Sequence, residues 1–547
     1  MERIVRSKLF LILTSLALLV SAALIAVSPL LRSAQAAGSS HPQAKHFSFT
    51  PGADWPELMG DAARDGSVGS NTILNKANAT SLVPVSGPGF TTTGSAEDSP
   101  VVYQGVVYYA ANQLVGKTHV STMYAVDASS GNVLWSVPFS TCGRNTTTQF
   151  VSSTAAVTTG LVNGVSTVEV FIGWGTSWPG AQGCIFDFNG TDGSVIWRFV
   201  DSTPVFSSPS IVSTNNGNIV VIGDDNHSVH GFPVNYTGTL GGTPTQRWKY
   251  DDRADMPPPG YSQYCAPAPI NCGETVWSSP AEGLVMVNGQ PHHYIFFSVG
   301  AETRFVGRVD AIDIDQITKK IPKLVWSFWD PHPMDDNDFG TISALVDSNG
   351  FAQRVYAGTN SGDEFGLDAA TGNMDFDYST TNEAFGGAHG RIRSVGALVT
   401  INGTTELLFG TSCGTEHKHC PGTASTGFVF AIDALSTNPA GTLLWRSQNF
   451  GDPIISSPVV VNQGANAVVY MMGTWDPKSS SSVGDLIALD PATGNILADY
   501  PVYNHAYGTL STPAVDGNRI FVTEGMVSFN SLDPSGGGLA AFECSGC

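Results

Sequence analysis

Positive charge is what this chain has least of. Its 547 residues carry 25 Lys and Arg against 46 Asp and Glu, a formal net charge of −21, and only 13% are charged at all. The acidity comes from scarce cations, not from acidic blocks. No basic face is on offer to the phosphates of a nucleic acid or to anionic lipid, which excludes those partners. Long apolar runs are missing too, except for one. Leu9 to Val27 is uncharged, follows the basic Arg3, Arg6 and Lys8, and is succeeded by Ala34-Gln35-Ala36, a small-x-small cleavage site. A span of about 20 apolar residues is enough to cross a bilayer. Residues 1–36 are therefore expected to be a signal peptide or an uncleaved N-terminal anchor, the latter being the single membrane contact. Either puts the remainder outside the cytoplasm: extracellular, cell-surface or periplasmic.

Adjacent Cys-Cys is absent, and so is a haem-attachment motif, because Cys544-Ser-Gly-Cys547 lacks a following His. No haem is expected. The cysteines are Cys142, Cys184, Cys265, Cys272, Cys413, Cys420, Cys544 and Cys547. An even count in an exported chain implies disulfides. Short-range pairing suggests Cys265 with Cys272, Cys413 with Cys420 and Cys544 with Cys547, which leaves Cys142 with Cys184; other pairings stay open. The segment from Cys413 to Cys420 also holds His417 and His419, but its spacing fits no zinc pattern. His292-His293 is expected at the tip of an exposed hairpin.

What is abundant is turn chemistry, with 60 Gly and 32 Pro. The turns repeat. Ala125-Val-Asp127-Ala-Ser-Ser-Gly131, Gly366-Leu-Asp368-Ala-Ala-Thr-Gly372 and Ala488-Leu-Asp490-Pro-Ala-Thr-Gly494 nearly coincide. The Asp suits hydrogen bonds to turn N–H groups and the Gly supplies a positive φ. A Trp follows at Trp135, Trp197 and Trp445, and after looser turns at Trp248 and Trp326. A Ser-rich strand start precedes each unit. It is read at Asp98-Ser-Pro100, Ser152-Ser-Thr154, Ser207-Ser-Pro209, Ser278-Ser-Pro280, Thr341-Ile-Ser343, Arg393-Ser-Val395, Ser456-Ser-Pro458 and Ser511-Thr-Pro513. Eight units of four strands predict an all-β protein, an eight-bladed β-propeller of antiparallel blades. The eighth unit stops at Leu539-Ala-Ala-Phe542. The stretch Leu82–Phe90 is expected to supply its outer strand and close the ring. The organisation is 1–36 targeting segment, 37–81 N-terminal extension and 82–547 propeller.

The Asp-x-x-Thr-Gly-x-x-x-Trp repeat resembles the Trp-docking motif of PQQ-dependent alcohol dehydrogenases and of non-catalytic relatives such as the assembly factor BamB. The middle of the chain is similar to the polyvinyl-alcohol-dehydrogenase-type branch. The segments that carry this are Val276-Trp277-Ser-Ser-Pro280, Asp336-Asn-Asp338-Phe-Gly340 and Gly358-Thr-Asn-Ser-Gly362. The resemblance implies PQQ lying on Trp277, a Ca²⁺ ion beside it, and Asp338 as the base that takes the hydroxyl proton. It also shows departures. Ala301 stands where the family has a Ca-binding Asn, with Glu302 beside it as a substitute ligand. Trp178 stands where a Ca-binding Glu is expected. Asn360 replaces the Arg or Lys that holds the quinone oxygen. Asp335, Asp336 and Asp338 form either a cation-binding group or a solvated turn.

Two function classes follow. One is a binding or scaffold propeller with a degenerate cofactor funnel, its partner a protein, glycan or small molecule at the axis or rim. The other is a PQQ- and Ca-dependent dehydrogenase for alcohols or sugars.

Overall fold

The structure is a computed structural model. It describes residues 54–68, 73–91, 96 and 98–547, apart from segments 116–117, 140–148, 177–181, 253–274, 301–306, 333–338, 381–389, 414–425, 451–455, 474–484, 503–510, 525–526, 529–530, 533–537 and residue 546. Eight four-stranded antiparallel blades succeed one another along the chain. Their innermost strands are Val101–Tyr103, Ala156–Val162, Ser210–Val212, Ala281–Val287, Ser343–Val346, Ala397–Ile401, Val459–Val461 and Ala514–Asp516. Blade 8 takes its outermost strand from the other end of the chain. Leu82–Pro84 lies antiparallel to Gly538–Cys544, with Leu82 opposite Cys544 and Pro84 opposite Phe542. Ring closure by the N-terminal stretch is as the sequence predicts, and Pro84 falls on an outer strand, where a missing donor is tolerated.

The repeated Trp is a wedge between blades. Trp135 Nε1 donates to Gly190 O at 2.8 Å, Trp326 Nε1 to Ala369 O at 3.1 Å, and Trp445 Nε1 to Pro491 O at 2.6 Å. Each acceptor lies in the Asp/Gly turn of the next blade. The turn glycine is needed twice over. Gly193 has φ +73°, and a Cβ there would sit 2.7 Å from the Trp135 ring. Across the strand pair, the residue opposite the ring is small: Ala125 for Trp135, Gly231 for Trp248, Ala311 for Trp326 and Ala431 for Trp445. Blade 2 departs from this, with Asp187 opposite Trp197.

The Ser-rich starts form a belt around the axis. Ser278 Oγ accepts from Ser298 N within blade 4, and Ser456 Oγ from Met472 N within blade 7. The next hydroxyl ties blade to blade. Ser99 N donates to Thr154 Oγ1, Thr154 N to Ser208 Oγ, Ser208 N to Ser279 Oγ, and Thr512 N back to Ser99 Oγ. This register moves three of the predicted starts by one residue. Ser153, Gly340 and Ser394 are the counterparts of Ser278, not Ser152, Thr341 and Arg393, because Gly173 N and Gly410 N bond Ser153 and Ser394.

Beyond the belt the axis is filled by residues 55–66. Trp55 bridges Val102 of blade 1. Val157 N then donates to Pro56 O, Ile211 N to Glu57 Oε2, Glu282 N to Ala62 O, Ala344 N to Ala63 O, Leu398 N to Asp65 O and Val460 N to Gly66 O. The second residue of seven innermost strands thus receives the same segment. Arg64 is fully buried in it, its guanidinium bonded to the Leu58, Ser208, Pro209 and Pro280 carbonyls and to Ser210 Oγ.

None of the described cysteines is free. Cys544 and Cys547 form a disulfide, as expected. Cys184 is buried and disulfide-bonded. Cys142, Cys265, Cys272 and Cys420 lie outside the described residues, as does the side chain of Cys413. His292 and His293 do not tip a hairpin. They lie within the strand Gln290–Val299, and their Nδ1 atoms meet Asp313 and Glu282, each at 2.7 Å.

Candidate ligand pocket on the axis

Each of three neighbouring blades places the residue just before its belt position, Ser278, Gly340 or Ser394, on a common cavity. In blade 4 that residue is Trp277, in blade 5 Phe339, in blade 6 Arg393. All three line one cavity of about 200 Å³, together with Ser298, Gly340 and Asn360. Trp277 is 38% exposed, an unusual state for so large a ring in a packed propeller. Its position is fixed on two sides. Nε1 donates to Asp225 Oδ1 at 2.5 Å, and Phe206, the matching residue of blade 3, packs edge-on with centroids 5.9 Å apart. A held aromatic face open to a cavity is a stacking surface.

Asn360 comes from the turn between the second and third strands of blade 5 and is 2% exposed. Its Oδ1 accepts from Arg391 Nε at 2.8 Å and from Arg393 Nε at 3.4 Å. Gly362 makes this turn possible, with φ +90° and a Cβ position 2.7 Å from Gly390 O. Arg391 is buried, whereas Arg393 is exposed and lines the cavity. The structure places Trp277 and Asn360 on one cavity. It adds a cation that sequence reasoning missed. The signal was present: Arg393 stands before Ser394 as Trp277 stands before Ser278. Aligning Arg393 itself with the serine hid it. Asp336, Asp338, Glu302, Ala301 and Trp178 lie outside the described residues.

One side-chain group near the pocket has ligands for a cation. Asp363, in the same turn as Asn360, lies with His332 and Asp377 so that one ligand atom of each falls within 4.8 Å of the others. His332 Nδ1 is 3.4 Å from Asp363 Oδ2 and 3.7 Å from Asp377 Oδ2. Burial, then the charge of Asp363, pushes the Asp377 carboxyl up to about 6, and burial raises Asp330 beside it to about 7.

No curated protein matches the chain by sequence. A family model described as outer membrane protein assembly factor BamB matches residues 63–240. Among solved structures, the quinohemoprotein alcohol dehydrogenase from Comamonas testosteroni aligns with a TM-score of 0.58 at 16% identity, over 90% of this chain and 81% of that one. Quinohemoprotein alcohol dehydrogenase ADHIIG from Pseudomonas putida HK5 aligns with a TM-score of 0.55 at 14% identity, over 90% of this chain and 80% of that one. Identities this low carry the fold and leave activity to the site. The chain is an eight-bladed β-propeller whose fold is similar to that of the quinohemoprotein alcohol dehydrogenases, and its residues 63–240 match the BamB family model.

Proposed function

We propose that the protein is an exported propeller whose axial pocket binds a planar, anionic cofactor of the PQQ type. The observation that carries this is Arg393. The position of the expected cation holds Asn360, but blade 6 places an exposed guanidinium on the same cavity and against the same amide. A flat carboxylated quinone needs an aromatic surface, a counter-cation and an in-plane polar group. Trp277, Arg393 and Asn360 are those three. The residues present thus fit the organic part of the group. When bound, PQQ supplies a two-electron acceptor for alcohol oxidation. This chain's part is to orient it: Asp225 and Phe206 hold the Trp277 ring, and Arg391 holds Asn360 so that its amide faces the cavity.

A dehydrogenase acting on alcohols or sugars is the second function, favoured by one observation. Phe339 lines the pocket, and the candidate base Asp338 directly precedes it in the chain. Dye-linked alcohol oxidation with added PQQ and Ca²⁺, lost in Asp338→Asn, is the expected result for that activity. Binding of PQQ without turnover leaves a cofactor-binding protein. Absence of PQQ binding returns the funnel to a scaffold role for a protein, glycan or other small-molecule partner.

A further inference from the structure

Three successive blades place an Asp four residues after the wedge Trp: Asp201 after Trp197, Asp252 after Trp248 and Asp330 after Trp326. All three carboxylates are buried. At the seam between blades 3 and 4 the charge is answered within the chain. Arg308 Nη2 lies 3.4 Å from Asp252 Oδ2, and Arg308 Nε donates to Asp310 Oδ2 at 2.9 Å. One buried guanidinium thus bridges a carboxylate of blade 3 and a carboxylate of blade 4. The seam between blades 2 and 3 also holds two carboxylates, but no guanidinium. Gly231 is opposite Trp248 as Ala311 is opposite Trp326. Three residues before each, Ser228 stands where blade 4 has Arg308; one residue before, His230 stands where it has Asp310. His230 Nε2 lies 2.8 Å from Asp224 Oδ2 and 3.5 Å from Asp201 Oδ2. One ligand atom of each residue falls within 4.8 Å of the others, and none of the three residues is more than 7% exposed.

The remaining atoms of these side chains are engaged, which aims the three toward one point. Asp224 Oδ1 accepts from Asn226 N and Ser228 N, each at 2.8 Å. Asp201 Oδ1 accepts from Thr203 N at 3.2 Å. His230 Nδ1 meets the Gln246 amide at 2.6 Å. A single Nε2–H serves one carboxylate, and here it is Asp224; Asp201 Oδ2 receives no hydrogen bond among the described residues. Lys249 is opposite His230, yet among the described residues no Lys or Arg pairs with Asp201 or Asp224. Even with the ring protonated, one buried negative charge stays uncompensated, a costly state in a dry seam. We propose that Asp201 Oδ2, Asp224 Oδ2 and His230 Nε2 bind one divalent transition-metal ion of the zinc type, which does between blades 2 and 3 what Arg308 does between blades 3 and 4. Two carboxylates, a neutral imidazole and a divalent ion sum to zero charge. Ligands about 2.0–2.2 Å from a tetrahedral ion stand about 3.3 Å apart, and the observed separations of 2.8 and 3.5 Å bracket that value. The Gln246 amide, its oxygen turned to the ring, accepts the Nδ1–H and so keeps Nε2 free to ligate. The imidazole donor favours zinc over the oxygen-seeking Ca²⁺ and Mg²⁺. Asp225, next in the chain after Asp224, accepts from Trp277 Nε1 at 2.5 Å, so the ion also secures the turn that holds the aromatic wall of the axial pocket.

The test uses the full chain, stripped with EDTA and kept free of PQQ, so that its outcome is independent of the cofactor reading of the pocket. Calorimetric titration with Zn²⁺ at neutral pH should show one tight site per chain. His230→Gln and Asp201→Asn should each weaken that site by about tenfold or more. His332→Ala, in the more exposed group beside the pocket, should leave it unchanged. A tight site that survives both His230→Gln and Asp201→Asn overturns the proposal, and so does a wild type that binds no Zn²⁺ saturably. Should neither variant fold, anomalous scattering at the zinc edge from crystals of the zinc-loaded wild type decides. A peak between Asp201, Asp224 and His230 is the expected result; zinc found only elsewhere contradicts the site.

Discussion

Arg393 holds in blade 6 the place that Trp277 holds in blade 4. Each directly precedes a serine whose Oγ accepts an N–H from its own blade's second strand, Gly410 N for Ser394 and Ser298 N for Ser278. Equal position in the repeat gives equal direction, so cation and aromatic ring meet on one cavity.

Arg393→Ala should weaken binding of a polycarboxylate ligand about 10- to 100-fold, the worth of one charge-assisted contact of roughly 1.5–3 kcal/mol. Arg393→Lys should restore part of it, and Tm should barely move, since the side chain is exposed. Isothermal titration of the three proteins checks this. Equal affinity in Arg393→Ala would detach the cation from the site.

Trp326→Ala should destabilise the fold by roughly 3–5 kcal/mol, because it removes a buried ring and leaves the Ala369 carbonyl without its indole donor. Gly372→Ala should destabilise too, since φ is +69° and the new Cβ would lie 2.5 Å from the same ring. Urea unfolding reads both. A shift under about 1 kcal/mol for Trp326→Ala would mean the wedge is dispensable.

The blade architecture was legible because its signals are local. An Asp/Gly turn, a Trp and a hydroxyl pair recur at short spacing, and ring closure followed from counting strands at the two ends. Two features were not legible. The axial segment 55–66 pairs with the blades mainly through backbone bonds, which leave no side-chain signature beyond the buried Glu57 and Arg64. The pocket cation depends on the belt register, and Gly340-Thr341 and Ser394-Val395 each keep only one of the two hydroxyls, so a pattern match slips by one residue. Trp277 and Asn360 were singled out through resemblance, and only the fold shows that they share a cavity.

Arg64→Met should cost roughly 3–5 kcal/mol, because it strips donors from four carbonyls and leaves Glu57 without its neighbouring cation. Loss should appear as lowered Tm and as earlier proteolysis near residues 55–66. An unchanged Tm would contradict the closure of the axis by this segment.

Acid should weaken the Asp127 turn. Burial raises that carboxyl, but the hydroxyls and amides of Ser129 and Ser130 outweigh it and hold the group below its ordinary range. A depressed carboxyl contributes above its unfolded value and stops contributing as pH falls through the folded one. The Tm gap between wild type and Asp127→Ala should therefore shrink between pH 5 and pH 2. A gap that is constant with pH would assign the effect to packing alone.

The most direct measurement is titration of the purified protein with PQQ, with and without Ca²⁺, followed by tryptophan fluorescence. Saturable binding of one PQQ per chain, with quenching that disappears in Trp277→Phe and affinity that falls in Arg393→Ala, is the predicted result. No saturation up to roughly 1 mM, weaker than about −4 kcal/mol of binding free energy, would contradict a cofactor pocket on this axis.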